Sequence, residues 1–331
     1  MAERTMILSP VLDDWPSYSR LIADIEKKFH DKNHIIQMIA VDDGSVDRFN
    51  QDMLPALGDG SCIESVSVIR LAVNLGHQRA IATGLASLCD RTDIDFVIVM
   101  DSDGEDRPDD IRNMVDLWRA NPGHVIVAQR AKRSETTAFK IGYFFYKMLF
   151  RILTGRTISF GNFCLLPMAA VRRLVRMSEL WNNMPAAIIR SRLRQKSVNT
   201  ERGVRYAGTS KMNLPSLVGH GLSAMSVYTD VAFVRILLAS VVVCIFSIVA
   251  MFGVAAIKLA TPLAIPGWAT TVFGNLLVIL IQTLVLIIAT TLMILSNRSL
   301  NQILPVTDAQ RYIEDIRVLF RRAPRSDSGA P

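Results

Sequence analysis

The sequence predicts an α/β protein with a mostly parallel sheet covered by helices on both faces, followed by two C-terminal membrane-spanning helices. Three observations predict it. Short apolar runs of strand length alternate with helix-length segments through the first 130 residues. The runs are apolar throughout rather than alternating, the mark of strands buried on both faces. Two long stretches near the C-terminus carry no charged side chain, in a chain that is 50% hydrophobic.

In chain order, strands are predicted at Met6–Leu8, Ile35–Val41, Val66–Leu71, Phe96–Met100 and Val125–Ala128, with helices near 16–30, 76–89 and 108–120. Together these are expected to form one α/β domain over 1–210. In such a sheet, ligands bind beyond the carboxyl ends of the strands. Residues 131–155 interleave Lys132, Arg133, Lys140, Lys147 and Arg151 with Ile141, Tyr143, Phe144, Phe145, Met148, Leu149 and Phe150. This pattern predicts an amphipathic helix over about 134–154, lying in a membrane interface or packed on the domain with a basic outer face. A juxtamembrane amphipathic segment follows at 211–231.

From Ile236 to Ile257 and again from Leu259 to Asn297 no side chain is charged. As a helix the first run reaches roughly 33 Å, enough to cross a hydrocarbon core. Thr261-Pro262 and Ile265-Pro266-Gly267 punctuate the second run. The spans are therefore predicted at 232–258 and 270–296, with a hairpin loop at 259–269. Lys258 borders that loop, whereas Arg298, Arg311, Arg317, Arg321, Arg322 and Arg325 follow the second span. The asymmetry predicts both termini on the cytosolic side and a basic tail over 297–331, disordered beyond Ala323. Met1–Thr5 leads directly into a strand-sized run, so no signal peptide is expected.

Composition excludes several classes. The net charge of +7 suits an anionic inner leaflet, and no nucleic-acid-binding motif accompanies it. Cys62, Cys89, Cys164 and Cys244 are widely spaced with no C-x-x-C pair, against a disulfide framework or zinc site and consistent with a reducing compartment. Ser9-Pro10-Val11-Leu12-Asp13 has no glycine fingerprint after the first strand, which excludes a dinucleotide-binding oxidoreductase.

Chemistry concentrates at two strand ends. Ile35–Val41 runs into Asp42-Asp43-Gly44-Ser45, and Phe96–Met100 into Asp101-Ser102-Asp103. In an extended chain Asp101 and Asp103 point to the same side. Paired carboxylates at the open end of a sheet suit a hard cation such as Mg2+ or Mn2+ beside a diphosphate. Asp42 or Asp43 suits hydrogen bonds from a base or ribose. Each motif alone is a common turn; together, at successive strand ends, they are specific.

V-D-D-G-S-V-D (41–47), N-L-G-H-Q-R-A-I-A-T-G-L (74–85) and D-S-D-G-E-D-R-P (101–108) resemble the successive motifs of glycosyltransferase family 2, with its GT-A fold. Gln129-Arg130, Arg133 and R-Y-A-G-T-S-K (205–211) resemble its polyprenyl-phosphate branch, which includes dolichyl-phosphate mannose synthase and bacterial undecaprenyl-phosphate glycosyltransferases. The resemblance implies a nucleotide-sugar site of Pro10, Asp13, Asp42, Asp43, Asn74, Gly76, Arg79, Asp101 and Ser102. It implies Mg2+ or Mn2+ held by Asp101, Asp103 and Glu105, the last where relatives offer a Gln. Arg130, Arg133, Ser210 and Lys211 would take an acceptor phosphate, and Asp101, Asp103, Arg130, Arg205 and Lys211 would carry catalysis. It further implies a UDP- or GDP-sugar donor, an undecaprenyl phosphate acceptor, inversion of configuration, and a homo-oligomer, up to a tetramer, in the bacterial inner membrane.

The chain departs from the family at Leu12-Asp13-Asp14-Trp15, where a Tyr-Asn-Glu is usual, at Gly104-Glu105-Asp106-Arg107-Pro108, and at Phe160-Gly161-Asn162-Phe163, which lacks an acidic residue. A hydroxyl acceptor requires a general base, but Glu179 and Glu201 are the only acids between Phe163 and Arg205. A phosphate acceptor needs none, so the pattern favours one. The competing readings are transfer to a lipid or polysaccharide hydroxyl, for which no Gln-x-x-Arg-Trp motif is present, and a catalytically silent membrane scaffold of the same fold.

Overall fold

The computed structural model describes residues 3–29, 34–58, 60–130, 137–207, 214–260, 267–299 and 303–322. The chain divides into two compact units. One comprises 1–136, 158–227 and 303–331; the other comprises 137–157 and 228–302.

The first unit begins with β1 (Glu3–Val11), α1 (Trp15–Lys28), β2 (His34–Asp42), β3 (Ile63–Leu71), α2 (His77–Leu88), β4 (Phe96–Val99), α3 (Pro108–Ala120) and β5 (Val125–Arg130). These are the elements that the apolar periodicity predicts, each within a few residues. Alternate residues of each strand face opposite sides, which divides the core in two. Leu8, Val41, Ile69 and Val99 pack with Ile81 and Leu85 of α2. Ile7, Met38, Val68 and Ile98 pack with Tyr18 and Ile22 of α1 and Met114 of α3. The amphipathic α1 opens with Trp15 and Pro16 and closes on Lys27 and Lys28, favourable at its carboxyl end.

After α4 (Thr137–Thr154), which belongs to the second unit, come β6 (Cys164–Pro167), α5 (Met168–Leu174), α6 (Met184–Arg190), β7 (Gln195–Thr200) and α7 (Leu214–Ser226). The apolar helices α8 (Thr229–Ala260) and α9 (Trp268–Ser299) follow, then α10 (Pro305–Asp308) and β8 (Ile313–Arg321). The eight-stranded sheet has the order β7-β5-β6-β4-β1-β2-β3-β8. β1 pairs in parallel with both β2 and β4, and β2 with β3; β6 and β8 are antiparallel to their neighbours. Strand order reverses between β1 and β4, so the crevice favoured for ligands opens at the carboxyl ends of those two strands.

Two sequence expectations change. The segment 297–331, read as a basic tail, contains α10 and β8, and β8 completes the sheet beside β3 with Val68 opposite Arg317. Leu319 and Phe320 pack on the core, while Ile316 and Val318 stay exposed. An edge strand needs only one apolar face, and its arginines hid it. The unit that contains the sheet thus runs past 210 to take in 214–227 and the chain after 303.

In the second unit, α8 and α9 are long and apolar enough to cross a membrane, with only 11% of each window buried. At 32 residues each, they extend roughly 48 Å. The described part of α4 lies with them, Phe150 meeting Tyr228 edge-on at 6.0 Å. Arg235 of α8 donates to the carbonyl of Ile152 at 2.6 Å, capping the end of α4. A Cβ at Gly155 would strike that guanidinium. Phe144, Phe145, Met148, Leu149 and Ile152 of α4 are exposed.

Candidate functional site

The loops after β1 and β2 are laced together. Asp13, at φ +49°, donates its N–H to Ser45 Oγ at 2.9 Å and accepts from Val46 N–H at 2.8 Å. Asp42 is buried and accepts from Ser45 N–H at 2.8 Å and from Arg70 Nη1 at 2.9 Å. Asp43 is buried too, accepting from Leu75 N–H at 2.7 Å and Gly76 N–H at 2.9 Å. Burial raises its pKa, against the pull of those two N–H groups. Asn74 Oδ1 shares the Gly76 N–H. Of the residues implied for the nucleotide, Asp13, Asp42, Asp43 and Asn74 therefore shape the loops by accepting loop N–H groups on their side chains, and Gly76 by donating its own N–H. Pro10 is buried at the end of β1, Ser102 is buried, and Arg79 is exposed on α2.

At the carboxyl end of β4, the strand stops at Val99 and residues 101–106 turn back on themselves. The extended alternation expected of Asp101 and Asp103 is replaced by this turn, because both ends of it are pinned by carboxylates. Asp106 accepts from Asp101 N–H at 2.9 Å, and Asp103 Oδ1 accepts from Glu105 N–H at 2.9 Å. Gly104, at φ +88°, supplies the left-handed step that a side chain would resist.

Segment 201–206 lies on this turn. Arg205 Nη2 is 2.6 Å from Asp103 Oδ2, and its Nε is 2.9 Å from Glu105 Oε1. Arg202 also donates to Glu105 Oε1. Burial pushes the Glu105 carboxyl up, but the two guanidinium groups outweigh it and hold it below the usual range. Bonding to Glu105 raises the pKa of Arg205 in turn. Among the described residues no three acidic, histidine or cysteine side chains converge around a cation position. Asp101, Asp103 and Glu105, implied as the ligand set, are not assembled as one, because arginines take up Glu105 and one oxygen of Asp103. The donor set of Asp101 and Asp103 still suits a hard divalent cation, being two partly exposed carboxylates at the open end of the sheet. The Arg205 guanidinium already occupies a cationic position beside Asp103.

His77, Gln78 and Asn162 complete the site and escaped the sequence reading of roles, although all three stand in quoted segments. Met184 N–H donates to Gln78 Oε1 at 2.8 Å, which leaves Gln78 Nε2 to donate to Asn162 Oδ1 at 3.0 Å. Asn162 Nδ2 then faces His77 Nε2 at 2.8 Å as the donor. The backbone amide thus dictates the histidine tautomer: Nε2 carries the lone pair. His77 Nε2 is 3.5 Å from Asp101 Oδ1; desolvation within the site lowers the imidazole pKa, against the pull of Asp43, Asp106 and Asp103, while the side chain stays partly exposed. Arg133, Ser210, Lys211 and the side chain of Arg130 lie outside the described residues.

Comparison with known proteins finds relatives by sequence and by fold. The chain is 27% identical over 247 residues to Uncharacterized glycosyltransferase YkcC of Bacillus subtilis, covering 73% of each chain. It is 24% identical over 216 residues to Uncharacterized glycosyltransferase sll0501 of Synechocystis, covering 62% of this chain and 64% of that one. Among solved structures it resembles glucosyl-3-phosphoglycerate synthase from Mycobacterium tuberculosis, crystallised with Mn2+, UDP-glucose and phosphoglyceric acid. That likeness has a TM-score of 0.49 and 15% identity, covering 70% of this chain and 80% of that one. The profile described as "Glycosyl transferase family 2" matches residues 7–176, just over half of the chain, and its span includes β1 to β5, the Asp101–Asp103 turn and α2 with His77. With a GT-A sheet carrying its acidic turn where the strand order reverses, the chain belongs to glycosyl transferase family 2.

Proposed function

We propose that this glycosyltransferase moves a sugar from a UDP- or GDP-sugar to a polyprenyl phosphate at a membrane, in a single metal-dependent displacement with inversion. The observation that carries the reading is the Asp101–Asp103 turn at the carboxyl end of β4, beside β1 at the switch point of the sheet. Asp101 and Asp103 are the residues that would hold Mg2+ or Mn2+, which when bound supplies positive charge to stabilise the departing nucleoside diphosphate. Arg205 stands at the same turn with donors suited to anionic oxygens. Arg130, Arg133, Ser210 and Lys211 remain part of the acceptor-phosphate reading on their sequence pattern.

The choice of a phosphate over a hydroxyl acceptor gains support from Glu179 and Glu201. Glu179 pairs with Arg190 at 2.7 Å and Glu201 with Arg107 at 2.9 Å. Each carboxylate is engaged by an arginine partner. An anionic phosphate requires no base.

Membrane residence is supported by α8 and α9, whose apolar side chains such as Phe246, Val249, Phe252, Val285 and Ile288 are exposed. The chain leaves the unit that contains the sheet after Val227 and rejoins it at Ile303, so two crossings return it to the side it left. The arginine-rich flanks support a cytosolic position for that side. α4 joins the same unit as α8 and α9 and presents aromatic and aliphatic side chains beside Lys147 and Arg151, suited to an anionic lipid interface. The reading includes a bacterial inner membrane and a homo-oligomer, as the resemblance implies.

The test uses the purified full chain in detergent with Mn2+ or Mg2+, a panel of UDP- and GDP-sugars, and undecaprenyl phosphate beside undecaprenol. Transfer to the phosphate, abolished by a chelator, is expected. Transfer to the alcohol alone overturns the acceptor assignment, and full activity in chelator overturns the metal.

A further inference from the structure

Glu105 stands two residues past Asp103, and its surroundings are unlike those of a cation ligand. Its side chain is buried, and a single oxygen, Oε1, receives both Arg202 and Arg205 Nε, the latter at 2.9 Å. Arg205 reaches from there to Asp103 Oδ2 through its Nη2. The backbone holds the two segments together as well. Gly203 N–H donates to the Glu105 carbonyl at 2.9 Å, and Tyr206 N–H donates to the Asp103 carbonyl at 2.8 Å. From the far side the Tyr206 hydroxyl donates to Asp24 at 2.7 Å, and Arg20 donates to the Tyr206 carbonyl.

In charge terms, the carboxylates of Asp103 and Glu105 are balanced by the guanidinium groups of Arg202 and Arg205. A divalent cation at Asp103 would lie within a few ångströms of the Arg205 charge, so the Nη2 contact and the cation exclude one another. The Nε contact to Glu105 is made by a different nitrogen. Arg205 can therefore yield Asp103 while its anchor holds, which frees N–H donors for an anionic oxygen beside the turn.

From this geometry we infer that Glu105 is a positioning residue, the anchor of Arg202 and Arg205 rather than a cation ligand, and that Arg205 neutralises Asp103 until a divalent cation replaces it. The inference rests on the metal-dependent reading above. It makes segment 201–206 an internal competitor for the metal and the source of a guanidinium released onto the substrate phosphates once the metal arrives.

Mn2+ binding, read from the free-ion electron paramagnetic resonance signal of the full chain in detergent, tests it without turnover. Arg205→Gln removes the competitor and is expected to bind Mn2+ about 2- to 5-fold more tightly than wild type, the upper range of a partly exposed ion pair, while its turnover falls. Arg205→Lys keeps a charge at Asp103 and should stay within about twofold of wild type. In the Arg205→Gln background, adding Glu105→Gln is expected to change Mn2+ affinity by less than about threefold, because the carboxylate acts through the arginine. A further loss of about tenfold in that double variant, as for a removed ligand, overturns the inference, as does Arg205→Gln binding Mn2+ no better than wild type. Either result leaves the metal-dependent reading standing, whereas Mn2+ bound by no form overturns both.

Discussion

Gly203→Ala tests whether the docking of 201–206 on the acidic turn matters for catalysis. A Cβ at Gly203 would lie 2.1 Å from the Gly104 carbonyl oxygen and 3.0 Å from Arg107 Cγ. The arginine side chain can swing away, but the oxygen is backbone, held in a turn whose own left-handed glycine leaves it little freedom. Relief requires 203 to lift off. That motion breaks the Gly203 N–H bond to the Glu105 carbonyl and strains the Tyr206 N–H bond to the Asp103 carbonyl. At about 1 kcal/mol net for each, the docked arrangement loses up to about 2 kcal/mol, or about 30-fold in the docked-to-undocked ratio. The assay is kcat/KM for the donor with the acceptor saturating, beside a thermal melt. We expect kcat/KM to fall, by up to about 30-fold, with a small change in Tm, since 201–206 adds no strand to the sheet. Gly58→Ala, where a Cβ meets nothing within 4 Å, is the silent control. Wild-type kcat/KM in Gly203→Ala would refute the reasoning.

Two further outcomes follow from the loops and the histidine. Asp43→Ala removes the carboxylate that accepts Leu75 and Gly76 N–H; Gly76 retains Asn74 Oδ1, so the half-buried Leu75 N–H is orphaned and stability drops by about 1 kcal/mol, seen as a lower Tm by calorimetry. An unchanged Tm would show that the loop is held otherwise. For His77, 15N NMR at pH 7 should find a neutral ring with the proton on Nδ1 and Nε2 bare, as the relay from Met184 requires. Because desolvation lowers its pKa below the ordinary 6.5, the unfolded chain binds more protons below that value. Stability therefore falls as pH drops through this window, and His77→Gln should flatten that slope; an imidazolium at pH 7 contradicts the relay.

The elements β1 to β5 and α1 to α3 were legible because buried parallel strands must be apolar throughout, and runs such as Phe96–Val99 have no other reading. The acidic turn was legible because Asp101 and Asp103 lie at the end of such a run, and α8 and α9 because each contains an uncharged apolar run long enough to cross a membrane. β6 escaped notice at only four residues, and β7, Gln195–Thr200, reads as polar because its exposure is that of an edge. β8 carries Glu314, Asp315, Arg317 and Arg321 among its apolar residues and forms only where β3 offers an open edge.

What the sequence determined by itself was the kind of protein: the order of β1 to β5 and α1 to α3, the carboxylates at the strand ends, and the two helices long enough to cross a membrane. These follow from local periodicity and from length, which neighbouring residues encode. Only the tertiary structure decided what each charged group does. Glu105 meets Arg202 and Arg205 across 97 and 100 residues, Asp42 meets Arg70 across 28, and Asn162 meets His77 across 85. A carboxylate becomes a ligand, a loop clamp or an arginine anchor according to which partner lies within about 3 Å, and that distance is set by the packing of the sheet and its loops.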